Sequence, residues 1–334
     1  MPEPTIKGGV VKEYLLLFPN TPDQTLSKKI HRENKPLFES VEKARDLVRY
    51  YRGKSGKENN TRLSDRRFIR DETVLSTDNE YDLPESDALE YPIFTIPNAQ
   101  NEILVLSDIH VPYHSVDALT VALRWGKEHN INTVFINGDF WDFHQLSSFV
   151  KDPRKRNTKE ELEMGWRVLD TIRNVLPNAV IYFKAGNHEE RWEKYLSTQA
   201  PVLLDMEEFR LDIILKLGER GISFIGDKIR VKAGKLTILH GHEFKGGGGV
   251  NPARWLFLRT KGNAMCSHFH RASKHMSTNI NDEILGCWST GCLCELHPGY
   301  SVLNEHVQGF ARVRVAKDLT FKVTNLEIHN GQLL

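Results

Sequence analysis

The 334-residue chain has no apolar run long enough to cross a bilayer; stretches such as 103–106 and 134–136 are the size of a single strand. Residues 1–10 carry no apolar core of the kind a secretory signal needs, so none is expected. Cysteine is scarce, with 4 residues in all, and three of them (Cys287, Cys292 and Cys294) lie close together in sequence. That number excludes a disulfide framework and leads us to expect free thiols in a reduced, cytoplasmic protein. The glycine run 246–249 lacks the Lys-Ser/Thr ending of a nucleotide-binding loop and reads as a flexible connection. Internal repeats and low-complexity tracts are absent too.

Basic residues are missing altogether from 71–100, which holds 8 Asp and Glu. The overall net charge of +1 therefore conceals a partition, because residues 1–70 carry 16 Lys and Arg against 9 Asp and Glu. Such segregation argues for separate tasks. In the basic part, Thr21-Pro22 marks a helix start, followed by Leu26 and Ile30 at i, i+4 spacing. Ser40 is placed to cap a second helix whose face is traced by Val41, Ala44, Leu47, Val48 and Tyr51, with Gly53 at its stop. Lys43, Arg45, Arg49 and Arg52 fall mostly off that stripe. Two short helices with a basic second member suggest a helix-turn-helix-like module that binds DNA or RNA. The plainer alternative is a solvated helix pair packed on the main domain. Residues 53–60 and 71–90 read as linkers, the second as an acidic linker or extended strap. The expected division is 1–70 helical module, 71–100 acidic linker and 101–334 main domain.

From residue 103 the pattern becomes strand and helix in alternation. Strands are expected at 103–106, 134–136 and 180–183, helices at 115–128 and 159–175, a short strand into His240, and closing strands within 302–323. Three of these apolar strands end and a polar ligand-type residue follows at once: Asp108, Asp139 and Asn187. In α/β sheets the ligand crevice lies beyond the carboxyl ends of strands, so separate strands can deliver these groups to one spot. Later come His240-Gly241-His242 and His268-Phe269-His270. Asp, His and Asn together suit divalent metals of intermediate hardness, manganese first, with iron, zinc or nickel as alternatives. A carboxylate shared by two such ions is an arrangement that activates water and holds a phosphoryl group.

The ordered set Asp108-x-His110, Gly138-Asp139-x-x-Asp142, Gly186-Asn187-His188-Glu189, His240-Gly241-His242 and His268-x-His270 resembles the calcineurin-like metallophosphoesterase superfamily over about residues 101–334. The resemblance implies an α/β (α+β) fold, a β-sandwich flanked by helices, with two metal ions at the strand ends. It implies that Asp108, His110 and His270 bind one ion, that Asn187, His240 and His268 bind the other, and that Asp139 bridges both. His188 would be the general acid, oriented by Asp142, and the nucleophile a metal-bound hydroxide. His242 is the alternative to His240. His114, His144 and Arg191 follow the metal motifs closely and are candidates for touching substrate.

Two departures qualify the resemblance. Ser267 stands where the last motif usually begins with glycine. Asp142 is followed by Phe143-His144 rather than the Arg-Gly of the Ser/Thr protein phosphatases, which argues against that activity. Residues 251–260 are expected as a helix beside the site, with Arg254, Trp255 and Arg259 able to meet a nucleic acid. A structural zinc on Cys287, Cys292, Cys294 and His297 lacks matched pairs and is not expected. The leading expectation is a metal-dependent phosphodiesterase or nuclease acting on nucleic acid through the basic segment. A phosphomonoesterase or small-nucleotide phosphodiesterase is the first alternative, and a nucleic-acid-binding protein without turnover the second.

Overall fold

A computed structural model describes residues 5–19, 21–52, 84, 88, 91–150, 157–297 and 303–334. The chain divides into two compact units, Met1–Thr95 and Ile96–Leu334. Residues 53–60 and most of 71–90, read as linkers, lie outside the described residues, as does the expected stop at Gly53.

The first unit holds helices α1 (Ile6–Leu17), α2 (Asp23–Glu33) and α3 (Val41–Tyr51) and the short strand β1 (Ile93–Thr95). Helix α1 was not expected, because adjacent Gly8 and Gly9 dilute its helical signal; the Thr5 hydroxyl accepts from the Gly8 amide at its start. In α2, Leu26 and Ile30 are buried as their spacing predicts, and the Ser40 hydroxyl caps α3 by accepting from Lys43 N at 3.3 Å. Ala44 and Val48 form the buried stripe of α3. Arg52 is drawn into this packing: it pairs with Asp23 at 2.8 Å and donates to the carbonyls of Phe18 and Pro19. The exposed positions of α3 carry both signs, Glu42 and Asp46 beside Lys43 and Arg49.

In the second unit one sheet runs β13-β12-β11-β2-β3-β4-β5. Its members are β2 (Glu102–Leu106), β3 (Thr133–Asn137), β4 (Val180–Lys184), β5 (Ile222–Ile225), β11 (Gln308–Val315), β12 (Phe321–His329) and β13 (Gln332–Leu333). Strands β2 to β5 are parallel, and β11 closes antiparallel on β2. Helices α4 (Val116–Glu128) and α5 (Thr158–Val175) cover one face, where Ala118, Leu119, Leu169 and Ile172 meet Leu104, Leu106, Val134, Ile136 and Phe183. The alternate residues Ile103, Val105 and Phe135 are equally buried on the opposite face. Each such buried aliphatic or aromatic side chain contributes about 1.5–3 kcal/mol, which makes this layered core the main source of stability.

A second sheet runs β6-β7-β8-β10-β9. It comprises β6 (Arg230–Ala233), β7 (Leu236–Ile238), β8 (Ala264–Cys266), β9 (Ser273–Thr278) and β10 (Ile284–Ser289), with β7 and β10 both parallel to β8. The sheets meet through side chains: Trp288 stands edge-on to Phe321 at 5.7 Å, and Asn325 donates to the Ser289 carbonyl at 2.9 Å. Most of this sheet was not legible in the sequence. Its strands are short, and β9 alternates half-buried with exposed polar residues instead of showing an apolar run. Helices α6 (Glu190–Gln199), α7 (Leu211–Ile214) and α8 (Pro252–Thr260) complete the unit.

Candidate metal centre

Parallel strands end on the same side, and that is what assembles the site. Asp108 follows β2, Asp139 follows β3 and Asn187 follows β4, while His240 follows β7, and His268 and His270 follow β8. The backbone at this edge is unusual. Asp108, His110, Asp139, His268 and His270 all have positive φ, between 51° and 67°. Left-handed backbone is uncommon outside glycine and clusters where side chains must be aimed against local preference. Gly138 (φ 85°) is needed for the same reason, since a Cβ there would meet Nδ1 of His240 at 2.5 Å and the Gly186 backbone at 2.8 Å.

Two sets of donor atoms converge. Asp108, His110 and His270 form one, and Asp139, His240 and His268 the other, each with its ligand-type atoms within 4.8 Å of one another. In the first, Nε2 of His270 is 3.4 Å from Asp108 Oδ1 and 3.1 Å from Nε2 of His110. In the second, Nε2 of His240 is 3.2 Å from Asp139 Oδ2 and 3.2 Å from Asn187 Oδ1. Asp139 lies between them: its Oδ2 is 4.0 Å from Nε2 of His110 and 4.0 Å from Nδ1 of His268. Nδ1 of His268 is buried with no hydrogen-bond partner. Buried nitrogen and oxygen donors without thiolates are a set that suits divalent ions of intermediate hardness.

Charge follows from this crowding. Burial raises the carboxyl of Asp139, but the imidazoles of His188 and His240 outweigh it and hold Asp139 well below its ordinary range. Burial lowers His240, yet Asp139 overrides it and lifts the imidazole to about 9. His268, more exposed to the positive charge of His240 than to any carboxylate, is pushed by burial down to about 4.

His188 sits at the rim. Its Nδ1 donates to the main-chain oxygen of Asp142 at 2.8 Å and lies 3.4 Å from the carboxylate of the same residue. Asp142 Oδ1 is also 3.4 Å from Nδ1 of His110, so one carboxylate serves two imidazoles. Arg191 is drawn in as well, its guanidinium 3.0 Å from Nε2 of His188 and bonded to the Asp142 carbonyl.

Other expected residues are not brought together here. His144 stacks on Phe149 and bonds the Val150 carbonyl. His114 bridges to Cys294 through its backbone. His242 groups with Glu190 and Asp227 rather than with Asp139. Cys292 and Cys294 are buried beside His270, whereas Cys287 approaches Thr260, so the three thiols do not converge.

Several residues of the site were not singled out from sequence. Glu189 is wholly buried, and its carboxylate accepts from the amides of Gly186, Asp139, Phe140 and Trp141 at 2.8–3.0 Å, which fixes one motif loop against another. Its signal was its position directly after Asn187-His188. Lys184, also wholly buried, lies 3.1 Å from Glu243, and Glu243 holds the amides of His240 and Gly241. Burial opposes ionisation of Glu243, but Lys184 brings it down to about 2. His306, whose ring is 4.5 Å from that of His270, gave no sequence signal at all.

The family model described as calcineurin-like phosphoesterase matches residues 102–275. The chain belongs to the calcineurin-like phosphoesterase family. As a calcineurin-like phosphoesterase it is a metal-dependent hydrolase of phosphate esters, and the family uses a dinuclear divalent metal centre. Similar solved structures include vacuolar protein sorting 29 from Cryptosporidium parvum, at 12% identity over 69% of this chain and 98% of that one, with a TM-score of 0.33. Yfce, a phosphoesterase from E. coli, matches at 13% identity over 68% and 100% of the two chains, with a TM-score of 0.29. A dimetal phosphatase from Danio rerio matches at 11% identity over 68% and 96%, with a TM-score of 0.35. No curated protein matches this calcineurin-like phosphoesterase. Among the described residues no helix is long and apolar enough to cross a membrane.

Proposed function

We propose that this calcineurin-like phosphoesterase is a phosphodiesterase acting on nucleic acid. Asp108, His110 and His270 would hold one ion and Asn187, His240 and His268 the second, with Asp139 available to both. The observation that carries the assignment is the position of Asp139 Oδ2 between two sets of imidazoles, 3.2 Å from His240 and 4.0 Å from His110. Manganese is the favoured metal, with iron, zinc or nickel as alternatives, because both sets offer nitrogen and oxygen donors without thiolate. When bound, the ions supply Lewis acidity to the phosphoryl oxygens and a nucleophile at neutral pH.

The chain's own groups do the rest. His188 gives a proton from Nε2 to the leaving oxygen, and the Asp142 carbonyl holds Nδ1 so that the ring cannot turn. Arg191 donates to that Nε2 at 3.0 Å, so its guanidinium has to turn to the phosphate before Nε2 can carry the proton. Asp142 keeps the ring's proton through its negative charge.

The nucleic-acid part of the reading is supported by the charge of residues 1–70 and by Lys43 and Arg49 on the exposed face of α3. We take 1–70 as a nucleic-acid-binding module, 71–100 as a linker and 101–334 as the catalytic domain, in a cytoplasmic protein whose four cysteines are free. A specific observation favours the rival reading, a small-nucleotide or monoester substrate: Arg52 is spent on Asp23, and Arg45 lies 3.5 Å from Glu42. The deciding experiment is hydrolysis of single- and double-stranded nucleic acids, bis-p-nitrophenyl phosphate and p-nitrophenyl phosphate with several divalent metals. Loss of nucleic-acid cleavage in Lys43→Glu/Arg49→Glu, with bis-p-nitrophenyl phosphate hydrolysis intact, supports the first reading. Preference for the monoester would sink it. Inactivity of Asp139→Asn on every ester is expected in either case, and retained turnover in that variant would overturn the assignment of the centre.

A further inference from the structure

Beneath the centre, five strand ends are joined by side chains. Ser107 follows β2, Asn137 closes β3, Leu239 follows β7, Ser267 follows β8 and Thr290 follows β10. The Ser107 and Thr290 hydroxyls lie 3.2 Å apart, and Thr290 Oγ1 donates to Ser267 Oγ at 3.1 Å. Asn137 Nδ2 donates to both Ser267 Oγ and the Leu239 carbonyl at 2.8 Å. Ser107, Asn137, Ser267 and Thr290 are all 0–1% exposed. The chain of bonds crosses between the sheets, since β2 and β3 belong to one and β7, β8 and β10 to the other. Polar groups taken this far from water cost stability unless every bond is made, and an apolar set would join two sheets at lower cost. The network therefore calls for a reason other than packing.

That reason lies in what the network grips. Ser267 N donates to the His240 carbonyl at 2.7 Å. The Asn137 carbonyl lies 2.6 Å from Nδ1 of His240. A carbonyl only accepts, so His240 carries a proton on Nδ1 and turns Nε2 toward Asp139 and Asn187. Residue 267 thus holds His240 twice, through its backbone and, by way of its hydroxyl, through Asn137. Its neighbour His268 donates its amide to both carboxylate oxygens of Asp108, at 3.2 and 3.1 Å, which ties the same turn to the other set of donors.

We propose that Ser267, acting with Asn137 and Thr290, is a positioning residue that orients His240 and sets the spacing between the two halves of the centre, and thereby sets affinity for the ion held by Asn187, His240 and His268. This inference rests on the ligand assignment proposed above. Its test is calorimetric titration of the metal-free full-length protein with Mn²⁺, in parallel with the melting temperature of the metal-free form, for the parent, Ser267→Ala, Thr290→Val and Thr290→Ser.

Outer partners of ligating histidines typically govern about 10–100-fold in metal affinity. Ser267→Ala and Thr290→Val are expected to weaken one of two binding events by that factor and leave the other unchanged. Thr290→Ser, which keeps the hydroxyl, should bind like the parent, whereas Thr290→Val strands the buried Ser107 and Ser267 hydroxyls and should melt lower than Thr290→Ser while one binding event stays parent-like. Parent-like affinity at both events in Ser267→Ala and Thr290→Val would overturn the proposal. So would a loss that Thr290→Ser fails to restore, or one that falls equally on both binding events, as a general loosening of the metal-free fold would produce. Absence of Mn²⁺ binding by the parent chain would overturn the ligand assignment, and this inference with it.

Discussion

Nε2 of His110 and Nε2 of His270 face each other across 3.1 Å, with Asp108 3.4 Å from the second. Two imidazole nitrogens at that distance cannot both present lone pairs without something positive between them, a shared proton or a cation. The sequence separation of 160 residues is bridged by two strand ends that belong to different sheets.

His270→Ala removes one of the two nitrogens. It should lower divalent ion content from two per chain to one and reduce hydrolysis of bis-p-nitrophenyl phosphate at least about 10–100-fold. Elemental analysis of the purified variant reads the first effect directly. Two ions per chain in the variant would remove His270 from the ligand set.

His188→Asn tests the proton donor. With an alkyl leaving group kcat should fall by about 10²–10⁴. With p-nitrophenolate, which departs without a proton, the loss should be far smaller. Equal losses on the two substrate types would argue that His188 binds phosphate instead of protonating the leaving oxygen.

Glu189→Ala leaves the amides of Gly186, Asp139, Phe140 and Trp141 buried without their acceptor. Each stranded group costs about 1–3 kcal/mol, so the metal-free variant should lose at least roughly 3 kcal/mol in denaturant unfolding. A change below about 1 kcal/mol would mean that water replaces the carboxylate, against its complete burial.

Proton and metal compete at His240. Burial lowers this imidazole, but Asp139 lifts it to about 9 in the metal-free protein, above the ordinary 6.5. A raised imidazole stabilises the metal-free fold fully below 6.5, and that contribution is lost as pH rises through about 9. An ion needs the same nitrogen unprotonated, so affinity for Mn²⁺ should climb across this window with release of protons. Calorimetry in two buffers of different ionisation heat measures that release. An affinity independent of pH from 6.5 to 9 would place His240 outside the ligand set.

Three of the four parallel strands of the larger sheet, β2, β3 and β4, were legible because each is an apolar run such as Ile103–Leu106 that ends abruptly and is soon followed by a polar ligand-type residue; β5, with exposed Ser223 inside it, was not. Of the second sheet only β7, leading into His240, was legible; β9, for example, is Ser-Lys-His-Met-Ser-Thr and carries its burial on alternate positions too weakly apolar to read. Of the substrate candidates, Arg191 reaches His188 while His144 turns to Val150, although each lies within three residues of its motif, and sequence proximity does not encode the difference.

By itself the sequence picked out the aspartates, histidines and asparagine that the strand ends bring together, because such residues following short apolar strands have few other uses at that spacing. Only the tertiary structure decided how they are shared: that Asp142 serves two imidazoles, that Glu189 holds four amides, and that His242 groups with Glu190 and Asp227. It also decided the partners of Ser267. Its hydroxyl lies 2.8 Å from Asn137 and 3.1 Å from Thr290, residues 130 and 23 positions away. Local propensity sets the strands, but distances between strand ends follow from how two sheets pack, and no neighbour along the chain carries that information.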